Sequence, residues 1–137
     1  MANALYDSGR EAFLTGAINW EADTIKVALV RGYTVNTATH VYLSDVTGAG
    51  GGTIVATSAA LSSKTPTAGV ADAADFTWSA VGTGAACPYI VIYKDTGVAA
   101  TSRLIAYIDT ATGLPVTPNG GDITVTWDNG VNRIFKL

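Results

Sequence analysis

Few side chains in this sequence can do chemistry. There is one histidine, His40, and one cysteine, Cys87. A single cysteine makes no internal disulfide and no multi-thiolate zinc site, and a single histidine excludes the paired-His ligation of most transition-metal centres. Cys87 precedes Pro88 and an apolar run. A reactive thiol needs a cation or a helix N-terminus to lower its pKa. The spacing supplies neither, so Cys87 is expected as a buried, inert residue at a strand start. His40 lies in TVNTATHVYLSD and reads as a surface or turn histidine. Neither a Gly-x-Ser-x-Gly elbow nor a His-Glu-x-x-His pair occurs.

The acidic residues number eleven, enough for an acid–base pair if two of them met. Asp72 and Asp75 are close in sequence. Asp122 and Asp128 bracket one strand, which holds them roughly 20 Å apart at about 3.3 Å per residue. Asp95, Asp109 and Asp128 stand at strand exits, where carboxylates satisfy turn backbone. The ordered spacing of a calcium loop is missing. Gly48–Gly52 reads GAGGG but lacks the Lys-Ser/Thr of a phosphate loop, so it is expected as a mobile loop. No catalytic residue, metal ligand or cofactor is assigned, and no small-molecule substrate is expected. Trp78 and Trp127 are expected in the core. Tyr89 and Tyr93 share one face of an apolar strand; aromatics side by side on a polar surface would bind sugar instead.

The elements that must position these residues read mainly as strands. The chain has 137 residues, 48% hydrophobic and 14% charged, enough apolar material for one domain over residues 1–137. The net charge of −3 and the scatter of the basic residues exclude nucleic acid and anionic membrane as expected partners. MANALYD lacks a basic start followed by an apolar core, and no window approaches the roughly 20 apolar residues of a bilayer helix. The expectation is a chain made in a cytosol and used, or assembled, there.

Residues 4–16 read as a helix with Leu5, Gly9, Ala12, Phe13 and Gly16 on one face, Asn3 as its cap and Gly16 as its stop. Ile18 and Trp20 anchor the exit. Residues 24–31 read as a half-buried strand. Further strands are expected over 53–61, 76–81, 88–95, 102–109 and 122–128, with 88–95 covered on both sides and paired to 102–109. In the strand over 76–81, Phe76, Trp78 and Ala80 share a face. Gly97 is available for a turn, and Asn129-Gly130 predicts a hairpin into a final strand over 131–137. Residues 41–46 read as a short strand or a single turn. The fold class is mainly β, an antiparallel β-sandwich of jelly-roll-like type with one short N-terminal helix.

The opening MANALYDSGREAFLTGAINWEADTIKVALV and the closing VIYKDTGVAATSRLIAYIDTATGLPVTPNGGDITVTWDNGVNRIFKL resemble a family of small tailed-bacteriophage virion proteins. The shared marks are Met-Ala-Asn-Ala-Leu-Tyr-Asp at the start, the Trp-Asp-Asn-Gly hairpin and the Phe-Lys-Leu end. The resemblance covers both terminal thirds; residues 32–87 depart from it. It implies a structural protein rather than an enzyme, most simply a capsid decoration or cement protein on the capsid exterior, made in the host cytoplasm. Its implied partners are the phage major capsid protein and further copies of itself, as a dimer or trimer. The alternatives are a tail, neck or fibre-associated module, or a carbohydrate-binding sandwich for host adsorption. The helix and the loop 45–53 are the expected contact elements, through Leu5, Tyr6, Phe13, Trp20, Asp45 and Gly50. The other role open to the helix is to plug one end of its own sandwich.

Overall fold

The computed structural model describes residues 3–109, 111, 114–127 and 134–136. Its centre is a five-stranded antiparallel sheet in the order β1-β7-β6-β2-β3. These strands are β1 (Ala4–Leu5), β2 (Ile25–Arg31), β3 (Thr53–Thr57), β6 (Tyr89–Lys94) and β7 (Arg103–Ile108). Two two-stranded ribbons pair β4 (Val70–Ala71) with β9 (Phe135–Lys136) and β5 (Phe76–Trp78) with β8 (Ile123–Val125). Helix α1 spans Asp7–Leu14 and α2 spans Leu43–Thr47.

The strand period of two sorts side chains into two apolar layers. Ile25, Val27 and Leu29 of β2 and Ile90 and Ile92 of β6 face one layer, which also holds Ala12 of α1 and the ribbon residues Ala71, Trp78, Ile123 and Val125. Ala28, Val30, Val91 and Tyr93 face the other, with Tyr6, Tyr33, Leu43 and Val46. The result is mainly β and sandwich-like, with α1 and both ribbons on one face of the large sheet. Among the described residues the strands divide five, two and two.

Strand β6 is central and covered on both sides, as its continuous apolar run predicts, and it pairs with β7. Strand β2 is not half-buried: only Lys26 and Arg31 keep partial exposure. Covering both of its faces turns an alternating pattern into a buried strand, because small Ala28 fits the second layer as well as solvent. Strands β3 and β5 are shorter than predicted. Ser58 follows β3 and accepts the Val27 N–H through Oγ (2.9 Å). Ala80 leaves the Phe76–Trp78 face because its backbone turns to φ 49°. Residues 43–47 take the single-turn option.

The N-terminal helix is shorter than expected. Ala4 and Leu5 pair with Tyr107 and Ala106 as an edge strand, and Tyr6 stands at the N-cap position without a capping side chain. Asn3 stands ahead of β1, away from the N-cap position of α1, and its Oδ1 accepts the Asp109 N–H (2.9 Å). The predicted stop holds: Thr15 ends the helix and Gly16 follows at φ 78°.

A β-bulge fixes where α1 starts. Ile92 pairs with Ala106 and Tyr93 with Leu104, which leaves Ile105 as the extra residue. Ile105 and Ala106 therefore both join the first layer, and the Ile105 carbonyl accepts the Tyr6 N–H (3.0 Å). The Asn129-Gly130 hairpin and Asp128 lie outside the described residues. The final strand is present at Phe135–Lys136, where its partner is Val70–Ala71.

Candidate functional site

The six residues expected at contacts fall into two groups, each organised by a residue that the sequence did not single out. Leu5, Phe13 and Trp20 gather near Phe135. Tyr6, Asp45 and Gly50 gather near Tyr33.

Phe135 sits on β9 at the C-terminal end of α1. Its ring lies 6.0 Å from that of Phe13 and 5.3 Å from that of Trp20, the latter edge to face. Trp20 is buried, and its Nε1–H donates to the Asp72 carbonyl (3.1 Å). Phe13, Trp20, Pro66, Gly69, Ala71 and Phe135 line an almost wholly apolar groove of about 160 Å³. Leu14, next to Phe13, is 88% exposed. On the other side of Phe135, Leu5 lines a more polar cleft with Arg10 and Lys136. Helix and ribbon thus leave an apolar seam open on the surface.

Around Tyr33 the residues turn inward. The Tyr6 and Tyr33 hydroxyls share a hydrogen bond (2.8 Å), and the Tyr33 hydroxyl shares another with His40 Nδ1 (2.8 Å). The Tyr33 and His40 rings stack at 5.5 Å. His40 is buried, not a surface histidine. Burial pushes the Tyr6 phenol far above its ordinary value, with the bond to Tyr33 adding to the shift. Burial also raises Tyr33, against the effect of its bond to Tyr6.

Gly50 is buried under this group, where any Cβ would run into the Tyr33 ring, and one on Gly52 would lie 2.8 Å from Tyr33 Cβ. Part of the glycine run is therefore packed: Gly50 and Gly52 make room for an aromatic ring, while Gly48 and Gly51 stay exposed. Asp45 caps α2, accepting the N–H groups of Val41 (2.8 Å) and Tyr42 (3.0 Å). Those bonds, Tyr42's foremost, hold its carboxyl below the usual range. Tyr6 and Gly50 have no surface to offer, and Asp45 uses one carboxylate oxygen on its own turn.

The other candidates for chemistry are also tied into the fold. Cys87 is fully buried in the first layer, and burial raises its thiol pKa against the opposing effect of Arg31. His40 bonds into the second layer, so the large sheet separates this pair. Asp75 accepts the Trp127 N–H, Asp122 the Ala80 N–H and Asp95 the Gly97 N–H. All three tryptophans are buried. Among the described residues no three His, Cys, Asp or Glu side chains gather as metal ligands would, and no helix is long and apolar enough to cross a membrane.

Comparison with protein-family models and with curated proteins finds no match.

Tyr33 had no local signal, since Gly50 and Gly52, on which it packs, lie 17 and 19 residues further along the chain. Phe135 had none beyond its place in the last strand, because its partners come from residues 13, 20 and 71.

Proposed function

We propose that this chain is a structural subunit of a tailed-bacteriophage virion, a capsid decoration protein that binds across major capsid subunits and stiffens the shell. The phage class comes from the resemblance of the two sequence ends. The observation that carries the structural role is the fate of the reactive side chains among the described residues: His40, Cys87, Asp75, Asp95 and Asp122 are each engaged by packing or backbone. Such a framework is suited to bearing load, with its surfaces as the working parts.

The contact surface in this reading is the apolar seam between α1 and β9, together with exposed Leu14 on the same turn of α1 as Phe13. The loop 45–53 keeps exposed residues at Gly48, Ala49 and Gly51 and is the second contact element of the reading, while its Gly50 is taken up by Tyr33. Many symmetric copies make a modest patch sufficient, because each copy bound raises the effective concentration of the rest. A tail or neck module would use the same seam in fewer copies. Sugar binding through the tryptophans loses its motive, since Trp20, Trp78 and Trp127 are interior.

Quantitative mass spectrometry of purified virions tests the proposal. Decoration predicts copies comparable in number to the junctions between capsid subunits. Copies in the range of a tail ring move the chain to the tail, and absence from the particle rejects the proposal.

A further inference from the structure

We propose that the pocket between the end of α1, Tyr42 and the β6–β7 turn is a binding site for a carboxylate. It has a volume of about 210 Å³ and is lined by Tyr42, Lys94, Thr96, Thr101 and Arg103 over an apolar floor that includes Ile18.

Lys94 and Arg103 are direct partners in the β6–β7 register. Like charges opposite one another in a sheet are destabilising. Only one of the two is compensated. Lys94 Nζ has the Asp23 carboxylate at 3.2 Å and donates to the Ala17 carbonyl at 2.8 Å. Arg103 donates through Nε to the Ser8 carbonyl (3.3 Å), and its guanidinium carbon lies 5.8 Å from the centre of the Tyr42 ring. Among the described residues it meets no carboxylate. The terminal N–H groups remain, held by the Nε bond and the ring in the fork that pairs with two oxygens of one carboxylate.

The turn is preformed. Thr96 and Thr101 hydroxyls both donate to the Val98 carbonyl, and buried Ser102 also donates to it. The site therefore needs no ordering of the turn on binding. One uncompensated positive charge matches a monoanion, which favours a carboxylate over a phosphate dianion. Two sources fit: an acidic side chain of a neighbouring protein subunit and a sugar acid. The site stands whether or not the chain belongs to a virion.

The test is an NMR titration of the isotopically labelled full chain with N-acetylglutamate α-amide, which mimics the side chain, and with glucuronate, each against sodium chloride at equal ionic strength. The readouts are the Arg103 Nε–Hε signal and the Tyr42 and Thr96 amides. The expected result is saturable movement with at least one probe at a Kd in the range of about 1–10 mM. The tighter probe identifies the source. Arg103→Gln weakens binding about tenfold or more, and Lys94→Gln weakens it less because Asp23 already faces Lys94. Arg103→Lys, which keeps the charge and loses the fork, also weakens binding and serves if the glutamine variant does not fold. Shifts no different from chloride, or equal binding by a folded Arg103 variant, overturn the proposal.

Discussion

Gly9 of α1 lies so close to β7 that a methyl group on it would sit 2.7 Å from the carbonyl oxygen of Leu104 and 3.0 Å from the Ile105 Cα. Both are backbone atoms at the bulge and cannot swing aside. Alanine in a helix is favoured over glycine by about 1 kcal/mol. Here the clash outweighs that gain, since overpacking costs about 1–3 kcal/mol. Gly9→Ala is expected to lower the urea midpoint, with Glu11→Ala on the exposed side of the same helix staying within about 0.5 kcal/mol of the parent. An unchanged midpoint for Gly9→Ala would mean that α1 is free to lift off the sheet.

The Tyr6–Tyr33–His40 chain makes a second expectation. Tyr33→Phe keeps the ring that stacks on His40 and lies edge-on to Tyr107, but removes the hydroxyl both neighbours share. It leaves buried polar atoms on Tyr6 and His40 unpaired, at a cost of about 1–3 kcal/mol. In the Tyr6→Phe/Tyr33→Phe pair, the second change should cost less than it does alone. Denaturant melts of the single and double variants measure that coupling.

Stability should fall at both ends of the pH scale. Asp23, Asp45 and Asp95 have carboxyls held below 3.8, chiefly by the Asn19 backbone, the Tyr42 backbone and the Lys26 ammonium respectively. Their contribution is fully present above 3.8, the unfolded value, and is lost as pH falls from there through the lower folded values.

Tyr6, Tyr33, Tyr93 and Tyr107 are shifted the other way from an ordinary 10.0 by burial, Tyr93 to about 12. Above pH 10.0 the unfolded chain loses protons that the folded chain keeps, so stability declines as pH rises toward the folded values. Circular dichroism and phenolate absorbance followed together should show the buried tyrosines ionising only as the sheet unfolds.

Leu14 tests the contact surface without touching the core. It is 88% exposed, and the last turn of α1 has no basic residue. Leu14→Lys should therefore leave stability within about 0.5 kcal/mol of the parent, since a cation there also complements the helix dipole. Binding to capsid shells, measured by co-sedimentation, should weaken. Equal binding by the variant would place the contact elsewhere on the chain.

Local signals in the sequence predict the local structure well. The unbroken apolar run over 89–93, the Gly97 turn and the Gly16 stop are each present because one short segment decides them. Boundaries set by distant partners were not legible. Ala4 and Leu5 leave the helix because the β7 edge offers hydrogen bonds a hundred residues away, and β2 is buried because Tyr33 and α2 return over it. The contact residues show the same limit. Trp20 and Gly50 look exposed in a loop-rich stretch, yet Phe135 and Tyr33 draw them inward. His40 is buried because a tyrosine seven residues earlier turns back onto its ring.

A cryo-electron-microscopy reconstruction of the phage particle tests the virion assignment most directly. The account predicts density for this sheet over the junctions between major capsid subunits, with Leu14 and the groove beside Phe13 and Phe135 pressed against a neighbour. A shell with no such density, or one in which that groove faces bulk solvent in every copy, would contradict it.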